Sequence, residues 1–360
     1  MTARPTVSLL LAATAFLAST AADAQVIGVV SPQNGSFELL GRQIRGGAAF
    51  AGISNDVTLK MVPESCEDGS GEAVARRLVE LKVDAAIGFL CSESLDGAMP
   101  PLQSAGIPAI TLSVRWQGIM EDALKRDWPL FRMAPATRAE SDKLADVILT
   151  RWPGVALALI DDGTISGRDL SEAVRSKLEE RGMKPVFTDT FRPGQEQQIG
   201  LVRRLQSTGV THVFIGGDRS DVSIIARDAS AEKIKLTIVS GDAMRAADAP
   251  VALQDGVYAV ALPDYGAKAD ANEIATSMRE KGIEPEGYVL PAYAAVQIAA
   301  AAAEKAKQDK STVAAELLSN RFATAIGPIG FTSEHELADN PYVLQVWQDG
   351  RFVRPPADTQ

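Results

Sequence analysis

Twice along this chain a short apolar run is followed by an amphipathic stretch, and the order is kept each time. The first series opens with VIGVV (26–30) and continues with GRQIRGGAAFAGI (41–53), VTLKMV (57–62) and GEAVARRLVELK (71–82). The last of these places Ala73, Val74, Leu78 and Leu81 on one helical face. VDAAIGF (83–89), DGAMPPLQSAG and IPAITL repeat the theme. A second series starts at VALALIDD (155–162) and runs through GRDLSEAVRSKLEERG, PVFTDTF, QQIGLVRRLQSTG, THVFIGG, a helix from Asp221 and KLTIVSGD. Apolar runs of strand length, separated by segments of helical period, predict βαβ units and parallel sheets covered on both faces. The stretch between the series, from Arg115 to Ser141, is less regular and reads as a crossover. Near the end, PYVLQVWQDGRFV carries an Asp349-Gly350 turn between two strand-like runs, a hairpin signal.

The first 24 residues have one basic residue, Arg4, an apolar core from Val7 to Ala18 and a closing Ala22-Asp23-Ala24. That pattern predicts a secretory leader, 1–24, too short to span a membrane, with the mature chain starting at Gln25. The Ala-rich AAVQIAAAAAEKAKQ ends in lysines and suits a helix packed on a sheet rather than a membrane span. About 336 residues then remain, enough for two domains. The net charge of −10 argues against nucleic acid and against anionic lipid as partners.

Only two cysteines, Cys66 and Cys91, and two histidines, His212 and His335, are present. An even cysteine count in an exported chain favours a disulfide, with free thiols, a metal site or catalysis as the alternatives. A zinc site wants about four ligands, and these four residues are scattered. A cysteine nucleophile wants a histidine base, and none lies near either cysteine in sequence. No phosphate loop, dinucleotide fingerprint or nucleophile elbow occurs where the fold would need it. No cofactor is expected. GGDRSD (216–221) reads as a tight loop before a helix, either an anion site or simply a turn with an N-cap.

The order of pieces is itself informative. VIGVVSPQNGSFELLGRQIRGGAAFA is followed by a cysteine pair, CEDG and IGFLCSES, then by GIPAITLS, FRMAP, IDDGTISGRDL, VFIGG and IVSGDA. Together they resemble the periplasmic leucine/isoleucine/valine-binding protein family, the type I solute receptors of ABC importers. The resemblance covers essentially the whole mature chain. It implies two Rossmann-like lobes joined by a three-segment hinge, 25–134 plus 262–327 and 135–261 plus 328–360. It also implies a disulfide between Cys66 and Cys91 beside the ligand loop, a periplasmic location and a monomeric receptor.

Carried over by the same resemblance, Ser92, next after the cysteine, would bond a ligand carboxylate, and Ser113 would offer backbone groups. Arg115 stands where the relatives have threonine. It would either grip a carboxylate, in the bidentate manner of a guanidinium, or pair with Glu93 or Asp218 and close the cleft. Asp242 would meet a ligand ammonium, or else cap the following segment. Asp218 and Ser166 fall at aromatic positions of the family, and a further tyrosine is replaced at or near Leu40. The pocket is therefore expected to be wider and more polar than one shaped for leucine. Trp116 and Phe37 would stack on a ligand ring, or pack in the core or at the lobe edges.

The leading expectation is a non-enzymatic receptor that binds a small polar solute (an amino acid, related zwitterion or carboxylate) by hinge closure and hands it to an inner-membrane ABC permease. The alternatives are a ligand sensor for a signalling partner and, with only His212 and His335 as imidazole bases, an exported α/β hydrolase.

Overall fold

The computed structural model describes residues 24–268 and 271–356; the expected leader, apart from Ala24, lies outside them. The first series becomes β1 (Val26–Pro32), α1 (Glu38–Asn55), β2 (Thr58–Glu64), α2 (Gly71–Glu80), β3 (Ala85–Gly88), α3 (Ser92–Ser104), β4 (Ala109–Thr111), α4 (Gln117–Lys125) and β5 (Leu130–Arg132). These strands form one parallel sheet in the order β2-β1-β3-β4-β5. β3, β4 and β5 are buried along their whole length, which is why their sequences show no alternation.

The second series gives α5 (Ala139–Arg151), β6 (Leu157–Asp161), α6 (Ile165–Glu180), β7 (Phe187–Thr190), α7 (Ile199–Ser207), β8 (His212–Gly216), α8 (Arg219–Ala231), β9 (Thr237–Ser240) and β10 (Tyr258–Ala261). The chain then returns to the first sheet with α9 (Asn272–Glu280), α10 (Val289–Asp309), α11 (Val313–Ser319), β11 (Arg321–Phe322) and β12 (Ile329–Gly330). It ends with β13 (Val343–Gln348) and β14 (Arg351–Val353) on the second sheet, whose order is β14-β13-β10-β9-β8-β6-β7. β13 runs antiparallel to β10, and the β13–β14 hairpin turns on Asp349 and Gly350 with φ of 50° and 77°. Two positive φ values are what an Asp-Gly turn supplies.

The Ala-rich segment is α10, packed against α1 and the first sheet. Small residues let the two helices close together. A Cβ on Gly47 of α1 would collide with the backbone carbonyl of Val289 at the start of α10. Each face of each sheet carries its own apolar cluster, so each sheet is a two-sided core.

One expectation needs correction. The stretch 115–141 does carry the first passage between the sheets, but it is not irregular: it contains α4, the fifth strand β5 and the start of α5. A nine-residue helix and a three-residue strand are too short to show a period. The boundary expected at 327/328 falls in the turn between the paired strands β11 and β12. Ile326 and Phe331 both lie in the core of the first sheet, and the chain reaches the core of the second sheet only at Tyr342.

The chain thus passes between the sheets three times, and the passages are laced together. The Arg132 amide donates to His335 O at 3.0 Å, and Asn340 Nδ2 to Ala139 O at 2.6 Å. Arg245 Nη1 donates to Leu262 O at 2.6 Å, and Gln345 Nε2 reaches Ala261 O and Leu262 O at 3.3 Å. Beneath them the guanidinium of Arg132, with no exposed side-chain surface, is forked by Glu336: Nε to Oε2 at 2.8 Å and Nη2 to Oε1.

Candidate functional site between the sheets

The loop after β3 is built with unusual backbone. Gly88 and Phe89 have φ of 113° and 55°, and a Cβ on Gly88 would strike the carbonyl of Val30 on the neighbouring strand. The chain therefore turns sharply at the end of β3 and enters α3 with Ser92 as its first residue. Cys91 is disulfide-bonded to Cys66, with Cα atoms 5.0 Å apart, and no cysteine is free among the described residues. The pairing read from the sequence is present. Ser92 is half-buried at the start of the helix, where unpaired amides and the helix dipole favour an anion.

Glu64, which the sequence reading passed over, lies under this loop. It is the last residue of β2, only 5% exposed, and accepts the amides of Leu90 at 3.0 Å and Cys91 at 3.1 Å. Burial pushes its carboxyl up to about 7, against the pull of those two amides and with a further push from Glu93.

The loop after β4 supplies Ser113, Arg115 and Trp116. Thr111 Oγ1 ties the turn by accepting the amide of Val114 at 3.1 Å. Ser113 is half-buried, and its hydroxyl accepts from Tyr288 Oη at 3.0 Å, so an aromatic ring absent from the sequence reading stands beside it. Arg115 is exposed, and the partner it takes is neither Glu93 nor Asp218: Nη1 donates to Tyr342 Oη at 3.4 Å, across the passage between the sheets. Trp116 is 53% exposed and Phe37 48%, so neither is core packing.

On the other side, Asp242 is half-buried just after β9. Its Oδ1 accepts the amide of Leu262 at 2.9 Å, so the group it caps is on the returning passage, not on the following turn. Its own amide donates to Glu140 Oε1 at 2.7 Å. A Cβ at Gly241 would overlap that Glu140 oxygen, which is why glycine precedes the aspartate. Burial raises the Glu140 carboxyl above its usual range; the Asp242 charge adds to this and Arg115 opposes it. Burial likewise pushes the Tyr342 phenol up to about 12, with Arg115 opposing. Arg115, Glu140, Asp242 and Tyr342 are thus one electrostatic group.

The remaining expected residues stand apart from it. Ser166 is exposed in the first turn of α6, next to Ile165, which is 82% exposed. Asp218 is exposed at the N-cap position of α8 without a side-chain capping bond. Its charge acts on Asp221, whose carboxyl is raised chiefly by burial.

Neither histidine forms an acid–base pair. His335 Nδ1 meets Leu130 O at 2.9 Å and its ring stacks on Phe131, while His212 Nδ1 meets the Thr211 hydroxyl. Among the described residues no group of three or more His, Cys, Asp or Glu side chains could hold a metal ion, and no helix is long and apolar enough to cross a membrane.

Glu64, Glu140, Tyr288 and Tyr342 were missed because their roles depend on packing between distant segments. Only Glu64 left a signal, a carboxylate ending a strand two residues before a cysteine.

The chain is similar to known proteins in sequence and in fold. The chain is 28% identical over 348 residues to an amino acid binding protein of Pseudomonas aeruginosa, covering 92% of each. It is 26% identical over 353 residues to a leucine-, isoleucine-, valine-, threonine- and alanine-binding protein of the same species, covering 91% of each. The fold is similar to the crystal structure of a putative branched-chain amino acid ABC transporter from Rhodospirillum rubrum. That match has a TM-score of 0.77 at 17% identity and covers 91% of this chain and 99% of the other. A sequence model described as periplasmic binding protein matches residues 24–351, and the chain belongs to that family.

Proposed function

We propose that this protein is a periplasmic solute receptor of an ABC importer, taking a small polar solute that carries both a carboxylate and a cationic group. The observation that carries this reading is the opposed charge across the passage. Ser92 at a helix N-terminus and Arg115 lie on the first sheet, and Asp242 and Glu140 on the second. An amino acid laid between them meets a donor set at one end and carboxylates at the other. Binding energy from both sides biases the lobes toward closure, and an inner-membrane permease reads the closed form. The lobes are 25–134 with the returning segment through Leu337, and 135–261 with the closing strands.

The pocket differs from one made for leucine. By the family resemblance Asp218 and Ser166 stand at aromatic positions of the ligand pocket, so on this reading less of the apolar area that an aliphatic chain needs, at roughly 25 cal/mol per Å², is supplied. A polar or cationic amino acid fits better. In the cell, the chain is exported by its leader and acts in the periplasm as a monomer.

A thermal-shift panel tests this. The twenty amino acids, their amides, polyamines and small aliphatic and aromatic carboxylates are each added to the mature protein. At a hundred times its dissociation constant a solute stabilises by about 2.7 kcal/mol. A hit from a polar zwitterion that is lost in Asp242→Ala and Ser92→Ala supports the reading. A hit from an acid without an amine, lost only in Arg115→Ala, removes the ammonium role of Asp242. A panel without a hit refutes the amino-acid reading.

A further inference from the structure

The peptide segment that carries Ser92 is held from below by a single carboxylate. Glu64 ends β2, two residues before Cys66, and both residues reach the same short stretch. Cys66 is bonded to Cys91, and Glu64 accepts the amides of Leu90 and Cys91. The positive φ values at Gly88 and Phe89 are what turn those amides inward. With Leu90 and Cys91 aimed at Glu64, the next residue, Ser92, opens α3.

We propose that Glu64 is the positioning residue for the Ser92 loop: its carboxylate holds the Leu90 and Cys91 amides and so sets the aim of Ser92 and of the N-terminus of α3. That Ser92 meets a solute rests on the receptor reading above; the clamp itself does not. A carboxylate with both oxygens ionised accepts two amides at charge-assisted strength, and a carboxylic acid gives one of them only a hydroxyl oxygen. The loop is therefore held most firmly when Glu64 is ionised and loosens when it takes a proton. Glu93 and Ser94 bear on this proton besides the two amides, while the cation on the β1 side, Arg45, is engaged elsewhere. Glu93 of α3 adds a negative charge, and the Ser94 hydroxyl of the same helix favours the ionised form. On the paired strand β1, Ser31 Oγ and Pro32 O receive Arg45 Nη1 of α1. Burial outweighs these influences and keeps the carboxyl titrating near neutrality.

The test follows the amide proton resonances of Leu90, Cys91 and Ser92 by ¹H–¹⁵N correlation spectra between pH 5 and 9, without solute. The expected result is a shared midpoint near neutral pH at all three positions, abolished in Glu64→Gln. Glu93→Gln changes an exposed residue, so folding is retained, and it should move that midpoint to lower pH. Amides that stay fixed over the range, or that titrate equally in Glu64→Gln, overturn the proposal. So does a midpoint indifferent to Glu93→Gln.

A second arm measures L-glutamine and L-arginine binding by calorimetry at pH 8 and pH 6. The expected loss at pH 6 is about tenfold in the wild type and absent in Glu64→Gln, which binds at the weaker level at both values. Wild-type binding equally tight at both pH values overturns the link from the clamp to Ser92. Titrating amides with no binding of either probe uphold the clamp and count against the receptor reading alone.

Discussion

The ion pair between Arg132 and Glu336 joins the first passage between the sheets to the third, and its removal has a calculable cost. Arg132 has no exposed side-chain surface and Glu336 is 15% exposed. Glu336 supplies two acceptors to one guanidinium, Gln117 Oε1 adds a contact at 3.4 Å, and Arg132 Nη1 is buried without a partner. Glu336→Ala leaves the cation in place and removes the charge that answers it. Breaking a buried pair in this way costs about 3–5 kcal/mol, because the surviving charge is uncompensated. With an unfolding entropy of about 2 cal/mol/K per residue, a mature chain of about 336 residues changes stability by roughly 0.7 kcal/mol per kelvin near its midpoint. A loss of about 4 kcal/mol then lowers Tm by about 6 °C. Thermal unfolding followed by circular dichroism, with urea unfolding as a second measure, reads both numbers. Replacing both partners, as Arg132→Met with Glu336→Leu, removes the buried charges together and should return Tm to within about 2 °C of the wild type. A single variant within about 1 °C of wild type would refute the reasoning, since it would mean that water already reaches the guanidinium. A double variant as unstable as the single one would refute it too, because the loss would then be packing rather than charge.

Three further outcomes follow from particular atoms. Gly47→Ala drives a methyl group into the Val289 carbonyl and should cost about 1–3 kcal/mol in urea unfolding, whereas Gly46→Ala, with open space at its Cβ, should be neutral or stabilising by up to about 1 kcal/mol. Replacing both Cys66 and Cys91 with alanine frees a loop with a sequence separation of 25 and should cost about 3 kcal/mol by the loop-entropy relation, read by urea unfolding. Glu64 has a folded pKa of about 7, above its ordinary 4.5, so its contribution to stability is present below pH 4.5 and is lost as pH rises through 7. The stability difference between wild type and Glu64→Gln, measured by urea unfolding at fixed ionic strength, should therefore decline across that window. A difference that grows would mean the two amide bonds outweigh burial.

Much of the fold was written locally. Strands such as β3 and β8 are apolar because both faces of a parallel sheet are covered, and helices such as α2 show their buried face in their spacing. The hairpin of β13 and β14 announced itself through Asp349-Gly350, because few other pairs adopt two positive φ values. Errors arose where an element was too short to carry a period, as in α4 and β5.

The site divides along the same physical line. Residues whose role follows from position in one loop could be found: Ser92 opens a helix after a sharp turn, and Asp242 follows a buried strand. The residues that give the site its electrostatics act over long separations in sequence. Tyr342 meets Arg115 across 227 residues, Asp242 meets Glu140 across 102, and Tyr288 meets Ser113 across 175. No spacing rule links such pairs, because three separate passages of chain bring them together. The charges lie where the chain crosses between two separately packed cores, and on the proposed reading a solute that neutralises them would act on the relative placement of the cores. Arg115 shows the consequence most plainly: it rises from the first sheet, its guanidinium meets the Tyr342 hydroxyl in the core of the second, and on the proposed reading a solute carboxylate it accepts competes with that contact.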